Sequence, residues 1–372
     1  MTRIVQLANF VTPSSGGLRT ALGHLAEGYS RAGHDVVQVV PGPADLVTDT
    51  SWGRVVQLRA PELPGTGYRV LAEPRRVTAL LDLLGPTRVE VHDRTTLRGV
   101  GRWARQRGVP SLVVSHERLD RWLRQWLSPR LPLDRLADRS NTALAEAFDS
   151  VVCTTAWAEQ EFTRLGLGSV RRVPLGVDLS RFAVGTGGTT PGGLALVLAS
   201  RLSKEKRPDL AVAAATELAR RGHRVRLSVA GTGPLSRALQ AGAAGAPVEW
   251  LGFVSGRQQM AELLGSADVV LAPGPVETFG LAALEALASG TPVVANVHSA
   301  LPEVLGDAGL SSASTPRCFA DAVEALLEVG PEQRRRRARA RAEQFPWTAT
   351  VEGFLRSHGL PVGPVRSAAA TR

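Results

Sequence analysis

Short apolar runs alternate with amphipathic stretches along nearly the whole chain. The run Ile4–Ala8 leads through Pro13-Ser-Ser-Gly-Gly17 into a helical pattern at about Leu18–Ala32, then Gly33 and a second apolar run at Val36–Val40. Apolar runs bounded by turn residues read as strands, and the 3.6-residue pattern between them reads as helix, so this is a βαβ unit. Further runs follow at Val89–Val91, Ser111–Val114, Val151–Thr154 and Val170–Val173. The second half repeats the theme with Leu194–Ala199, a helix from Asp209 to Arg221, then Arg224–Ala230, Val248–Phe253, Asp268–Ala272 and Val293–Ala295. Such alternation predicts an α/β fold built from two Rossmann-like parallel-sheet domains.

The seam is expected where the pattern fails. Phe182 to Gly193 (FAVGTGGTTPGG) is too polar and glycine-rich to pack, which places a linker there. The expected division is 1–182, a linker at 183–193, a second domain at 194–345, a helix at 346–360 beginning at Phe345-Pro-Trp347-Thr, and a loose tail at 361–372.

Composition narrows the class. A chain of 372 residues is long enough for two cores. Its two cysteines, Cys153 and Cys318, form no metal or redox motif, and nothing resembles a signal peptide or a membrane-spanning run, so a cytoplasmic setting is expected. Net charge is +10 and almost all arginine, the only lysines being Lys204 and Lys206. The cluster Arg334–Arg337 with Arg339 and Arg341 reads as a solvated helical face, and no nucleic-acid signature accompanies it.

The stretch from Leu271 to Pro292 (LAPGPVETFGLAALEALASGTP) carries the most chemistry. A strand end runs into a Gly/Pro loop holding Glu277; Phe279-Gly280-Leu281 opens a helix that holds Glu285 and stops at Gly290. A helix N-terminus has unpaired N–H groups and the positive end of a dipole, which suits a diphosphate. Two glutamates astride that end can hold both halves of a nucleotide-sugar. Read as a glycosidase acid and nucleophile they are badly spaced: eight helical residues span about 12 Å, whereas such pairs need about 5–9.5 Å.

Glu277-x7-Glu285 and the surrounding TFGLAALEALASGTPVVAN resemble the signature of retaining GT-B glycosyltransferases of the family that includes sucrose synthase-like and mannosyl-transferring enzymes. The resemblance implies two domains facing a cleft, with the last helix crossing back to the first. It implies that Glu277 and the amides of Phe279, Gly280 and Leu281 contact the transferred sugar and distal phosphate, and that Glu285 takes the ribose hydroxyls. Arg201-Leu-Ser-Lys-Glu-Lys206 is similar to the family's Arg-Leu-x-x-x-Lys element, in which Arg and Lys clamp the diphosphate; fixed cations lower the cost of the departing negative charge. Gly231-Thr-Gly233 would let backbone approach a ligand, and Gly252, Phe253 and Val254 stand where family members hold the nucleobase. Gly17 and Arg19 resemble the family's glycine loop. His116, following a strand, matches a histidine that hydrogen-bonds the donor sugar. No Asp-x-Asp motif appears, and neither metal nor other cofactor is expected. Retention without an evident nucleophile points to front-face displacement, with His116, Glu277, Arg201 and Lys206 as the catalytic set.

A narrower resemblance covers most of the first domain. LANFVTPSSGGLRTAL, VHDRTTLRGVGRWARQRGV, SHERLDRWL, VVCTTAWAEQEFTRLG and VPLGVDLSRF are similar to actinobacterial GDP-mannose-dependent phosphatidylinositol mannosyltransferases. This implies GDP-mannose as donor, a lipid-linked mannoside acceptor and an α-1,6 linkage. Leu119, Trp122, Leu123, Trp126 and Leu127 recur at helical spacing with Arg118, Arg121 and Arg124 among them. That mix fits a helix in an anionic membrane interface, hence a peripheral place at the inner face of the plasma membrane, and equally a core-facing helix with solvated arginines. Two rivals stay open: the same fold with a UDP- or dTDP-sugar and a small-molecule acceptor such as a secondary metabolite or thiol precursor, and a catalytically silent nucleotide-binding scaffold.

Overall fold

The computed structural model describes residues 2–12, 16–64, 66–128, 130–185 and 193–362. They divide into two units, Met1–Pro174 with Trp347–Arg372, and Leu175–Pro346.

In the first unit, β1 (Arg3–Leu7), β2 (Asp35–Gly42), β3 (Leu46–Thr50), β4 (Gly53–Arg59), β5 (Arg88–Val91), β6 (Ser111–Ser115), β7 (Ser150–Cys153) and β8 (Val170–Arg172) form one sheet. Its order is β3-β4-β2-β1-β5-β6-β7-β8. Every neighbouring pair is parallel except β3 with β4. The edge hairpin β3–β4 adds to the expected parallel sheet a strand that the apolar pattern does not announce. The reason is local: β3 reads LVTDT and is almost wholly exposed, so it has no buried face for an apolar pattern to announce. Helices cover both faces. One core joins Val5, Val39, Val91, Val113 and Phe162; the other joins Ile4, Leu25, Tyr29, Val114, Val351 and Phe354. The helix Trp347–Ser357 therefore packs in this unit, against the helix Gly17–Arg31, where Trp347 stacks on His24 at 4.4 Å.

In the second unit, β9 (Leu194–Ala199), β10 (Val225–Ala230), β11 (Val248–Gly252), β12 (Val269–Ala272), β13 (Val293–Asn296) and β14 (Gly309–Ser312) form a parallel sheet of order β11-β10-β9-β12-β13-β14. The order reverses direction between β9 and β12, and in open α/β sheets ligands bind beyond the strand ends at such a switch point. The loops after β9 and β12 carry Lys206 and Glu277.

The boundary between units falls at Pro174/Leu175, ahead of the expected linker at 183–193. Residues 175–185 join the second unit because Arg339 donates to the carbonyls of Leu179 and Phe182 and the Gly185 amide to that of Ser289. The expected linker positions 186–192 and tail positions 363–372 lie outside the described residues. Among the described residues no helix is long and apolar enough to cross a membrane.

Candidate functional site

At the switch point of the second unit, Ser203–Lys206 follows β9 as a polar loop closed by a single 3₁₀ turn, Lys204–Lys206. Arg207, at φ 50, reverses the chain so that Pro208 can open the next helix. Lys206 Nζ ion-pairs with Glu277 Oε2, each side chain about a quarter to a third exposed. This joins the two loops through opposite charges at the mouth of the switch point. The 273–280 chain can lie so near because Gly274 has no side chain: a Cβ there would meet the Glu205 carbonyl at 3.0 Å.

The helix after Glu277 spans Leu281–Ala288, and its cap is Gly280 in the left-handed region at φ 78. A Cβ at Gly280 would lie 2.4 Å from Leu301 Cδ2, so both conformation and space require glycine. Among the described residues the amides of Phe279, Gly280 and Leu281 have no backbone acceptor, as expected of a helix N-terminus open to an anion. The Phe279 side chain is buried and meets Phe345 edge-on at 6.1 Å, so only its backbone faces the loop's chemistry. Glu285, in the second turn, is largely buried and lies 3.6 Å from Arg257 Nη2. Burial pushes its carboxyl up to about 7; Arg257 opposes that, and Asp178 adds to it. Arg257 escaped the sequence reading, since a lone arginine at the start of the helix Arg257–Ser266 carries no motif.

The glycines of Gly231-Thr-Gly233 pass close to another loop of this chain. A Cβ at Gly231 would sit 1.9 Å from the Ser200 carbonyl, and one at Gly233 would sit 2.4 Å from that of Leu202. They permit a close approach of the neighbouring loop of this chain. Leu202 N donates to Thr232 O and Gly231 N to Gly252 O, knitting the loops after β9, β10 and β11 together. Arg201 is half-buried at this junction. Gly252, at φ 68, turns the chain out of β11. Phe253 is half exposed (50%) and Val254 half-buried, so an apolar surface is available there.

In the first unit, Gly17 opens the helix Gly17–Arg31 and Arg19 is exposed in its first turn. His116 follows β6, half-buried, its Nε2 2.9 Å from His92 Nδ1. Burial first, and His92 second, lower the His116 imidazole to about 3, so it is neutral near pH 7. His92 follows β5, and its Nε2 lies 2.7 Å from Glu90 Oε1. Neither His92 nor Glu90 was singled out in sequence; a glutamate inside the apolar run Val89–Val91 was the signal available.

The helix Leu119–Trp126 is partly buried and partly exposed. Leu119 and Leu123 are half-buried, while Trp122 (44%), Arg121 and Arg124 are exposed. Exposed Leu127 and Leu131 extend the apolar strip. Arg124 is tied to Asp134 at 2.7 Å, and Arg118 is bound to Asp120 and lies over the Trp157 ring. The Trp126 side chain lies outside the description.

The profile of the family described as "Glycosyl transferases group 1" matches residues 193–329, and that of a "Glycosyl transferase 4-like domain" matches residues 16–178. The chain is 43% identical over 366 residues, 96% of each protein, to a GDP-mannose-dependent alpha-(1-6)-phosphatidylinositol dimannoside mannosyltransferase of Mycobacterium tuberculosis. It is 32% identical over 253 residues, 61% of this chain and 56% of the other, to a D-inositol 3-phosphate glycosyltransferase of Nocardia farcinica. Among solved structures, a sucrose-phosphate synthase from Thermosynechococcus elongatus superposes with a TM-score of 0.80 at 21% identity, covering 96% of this chain and 98% of that one.

Proposed function

The chain belongs to the group 1 glycosyltransferase family and has the GT-B architecture, and from that premise we propose that it moves mannose from GDP-mannose to a phosphatidylinositol mannoside through an α-1,6 linkage. The observation that carries the donor chemistry is the Lys206–Glu277 pair set beside the open N-terminus of the helix Leu281–Ala288. The choice of substrates is supported by the 43% identity to the mycobacterial mannosyltransferase, which runs through both units.

In this reading the second unit holds the donor. Lys206, Arg201 and the amides of Phe279, Gly280 and Leu281 take the diphosphate and stabilise charge as the anomeric C–O bond breaks. The acceptor hydroxyl forms the new bond on the same face, which retains configuration, and a diphosphate oxygen receives its proton. Glu285 takes the ribose hydroxyls, the surface at Gly252, Phe253 and Val254 takes the base, and His116 hydrogen-bonds the transferred sugar. Gly17 and Arg19 contact the diphosphate. The positive charge is supplied by side chains and backbone, so turnover needs no metal. Trp122, Leu127 and Arg121 give the first unit an amphipathic surface suited to an anionic bilayer in which a lipid-linked acceptor resides.

The test is transfer of radiolabelled sugar from GDP-mannose, UDP-glucose or a dTDP-sugar to phosphatidylinositol dimannoside or to soluble acceptors, with chelator present. Product only with GDP-mannose and the lipid supports the proposal. Transfer from UDP-glucose to a soluble acceptor, such as inositol phosphate, would retain the donor clamp and replace the substrates. Loss of turnover in chelator would overturn the metal-free step.

A further inference from the structure

The last residue of β13, Asn296, is completely buried at the C-terminal edge of the second sheet, and three loops meet on its side chain. Its Nδ2 donates to the Pro273 carbonyl at 2.9 Å, just after β12, and to Ser314 Oγ at 2.8 Å, in the loop after β14. Its Oδ1 accepts from the His298 amide at 3.0 Å. A backbone carbonyl can only accept and a backbone amide can only donate, so these two partners fix the orientation of the Asn296 amide.

The same residue folds its own loop. Its carbonyl accepts from the Ser299 amide at 3.2 Å and from Ser299 Oγ at 2.7 Å, and Ser299 Oγ in turn accepts from the Leu301 amide at 3.2 Å. That tight turn aims the Ala300 amide at the Glu277 carbonyl, 2.8 Å away, and lays Leu301 against Gly280. The loop 273–280 is therefore pinned at the Pro273 and Glu277 carbonyls, and both pins belong to the loop that Asn296 organises. On its other side Lys206 holds the Glu277 carboxylate and the Glu205 carbonyl abuts Gly274. The other half of the proposed donor site is held elsewhere. Glu285 lies beside Arg257 of the helix Arg257–Ser266, and residues 252–254 follow β11, which β10, β9 and β12 separate from β13.

We infer that Asn296 is a positioning residue for the sugar-diphosphate half of the donor site: it presets Glu277 and the open amides of residues 279–281, and the nucleoside half does not depend on it. The inference rests on the proposed reading for what Glu277 and those amides bind. Removing the Asn296 amide takes a donor from the carbonyl of buried Pro273, and a buried acceptor left unpaired favours movement of its loop. A misplacement of about 1 Å set off at a distance from the chemistry costs about 10²-fold in rate.

The experiment compares Asn296→Ala and Asn296→Asp with the wild-type full chain by calorimetric titration of GMP and of GDP-mannose, thermal unfolding and steady-state transfer kinetics. Asn296→Ala should lose about tenfold or more in kcat and at least about fivefold in GDP-mannose affinity, while GMP affinity stays within about twofold. Asn296→Asp keeps an acceptor for the His298 amide but, when ionised, turns an oxygen toward the Pro273 carbonyl. Protonation restores a donor, so its kcat relative to the wild type should rise as pH falls. A lesion that merely loosens the unit would weaken GMP and GDP-mannose alike and give no such rescue. If Asn296→Ala does not fold, Asn296→Ser carries the same comparison, because its hydroxyl is too short to reach all three partners. Equal losses for GMP and GDP-mannose, or unchanged kcat and affinity in a folded variant, would overturn the inference. UMP and UDP-glucose are titrated alongside. If the wild type binds only the uridine pair, the GDP-mannose assignment falls, and the split between UMP and UDP-glucose decides the role of Asn296. Binding of neither pair would remove the donor site and the inference with it.

Discussion

Replacing Glu285 with Gln isolates one buried carboxyl whose energetics the structure makes explicit. Its proton affinity is raised until it titrates at about 7. An unperturbed glutamate titrates near about 4.3, and each tenfold change in proton affinity corresponds to about 1.4 kcal/mol, so the linkage is worth at most about 3–4 kcal/mol. Residual solvent exposure of the side chain, 17%, trims that toward about 3 kcal/mol. The sign follows from which state binds the proton more tightly. The folded protein does, so Glu285 contributes stability below the unfolded value, and that contribution drains away as pH rises from about 4.3 to about 7. Glu285→Gln cannot ionise and should lose no such contribution. Scanning calorimetry of wild type and variant at pH 5 and pH 8 should show the variant gaining on the wild type by up to about 10 °C in the transition of the second unit, at about 2–4 °C per kcal/mol for a unit of that size. Nucleotide binding supplies the second arm. Ribose hydroxyls donate best to a carboxylate, so GDP should bind the wild type more tightly as pH rises from 6 to 8, relative to the variant. A stability difference independent of pH would refute the buried, neutral carboxyl, and parallel GDP affinities would remove Glu285 from the ribose.

Other expectations follow from the same contacts. Lys206→Met removes the cation paired with Glu277; kcat should fall by about 10²–10³, as for loss of one fixed charge-stabilising donor, with the melting temperature nearly unchanged. Gly280→Ala forces a side chain into the left-handed region against Leu301; a loss of about 1–3 kcal/mol in thermal unfolding should accompany weaker donor binding by calorimetric titration. Trp122→Ser with Arg121→Ala should reduce co-sedimentation with vesicles containing phosphatidylinositol while sparing transfer to a detergent-dispersed acceptor. Retained vesicle binding in that double variant would remove the helix Leu119–Trp126 from the membrane reading.

What the sequence determined by itself was whatever short-range pattern encodes. Strands such as Leu194–Ala199 and Ser111–Ser115 are buried on both faces of a parallel sheet and must be continuous apolar runs, so their places were legible to within a residue or two. Glu277, Gly280 and Glu285 were legible because a strand, a turn and a helix N-terminus are consecutive in the chain. The hairpin β3–β4 was not, since an exposed edge strand needs no apolar face, and the unit boundary was not, since carbonyls gathered by Arg339 decide it from far along the chain. Only the tertiary structure packed Gly231 and Gly233 against a neighbouring loop, set Arg257 against Glu285, and linked Glu90, His92 and His116 by hydrogen bonds. Glu90 lies on β5 and His116 just after β6, and the two strands pair side by side. Hydrogen bonds between side chains on different strands depend on strand order and register, and those are settled by the packing of the whole sheet, which no local window of residues contains.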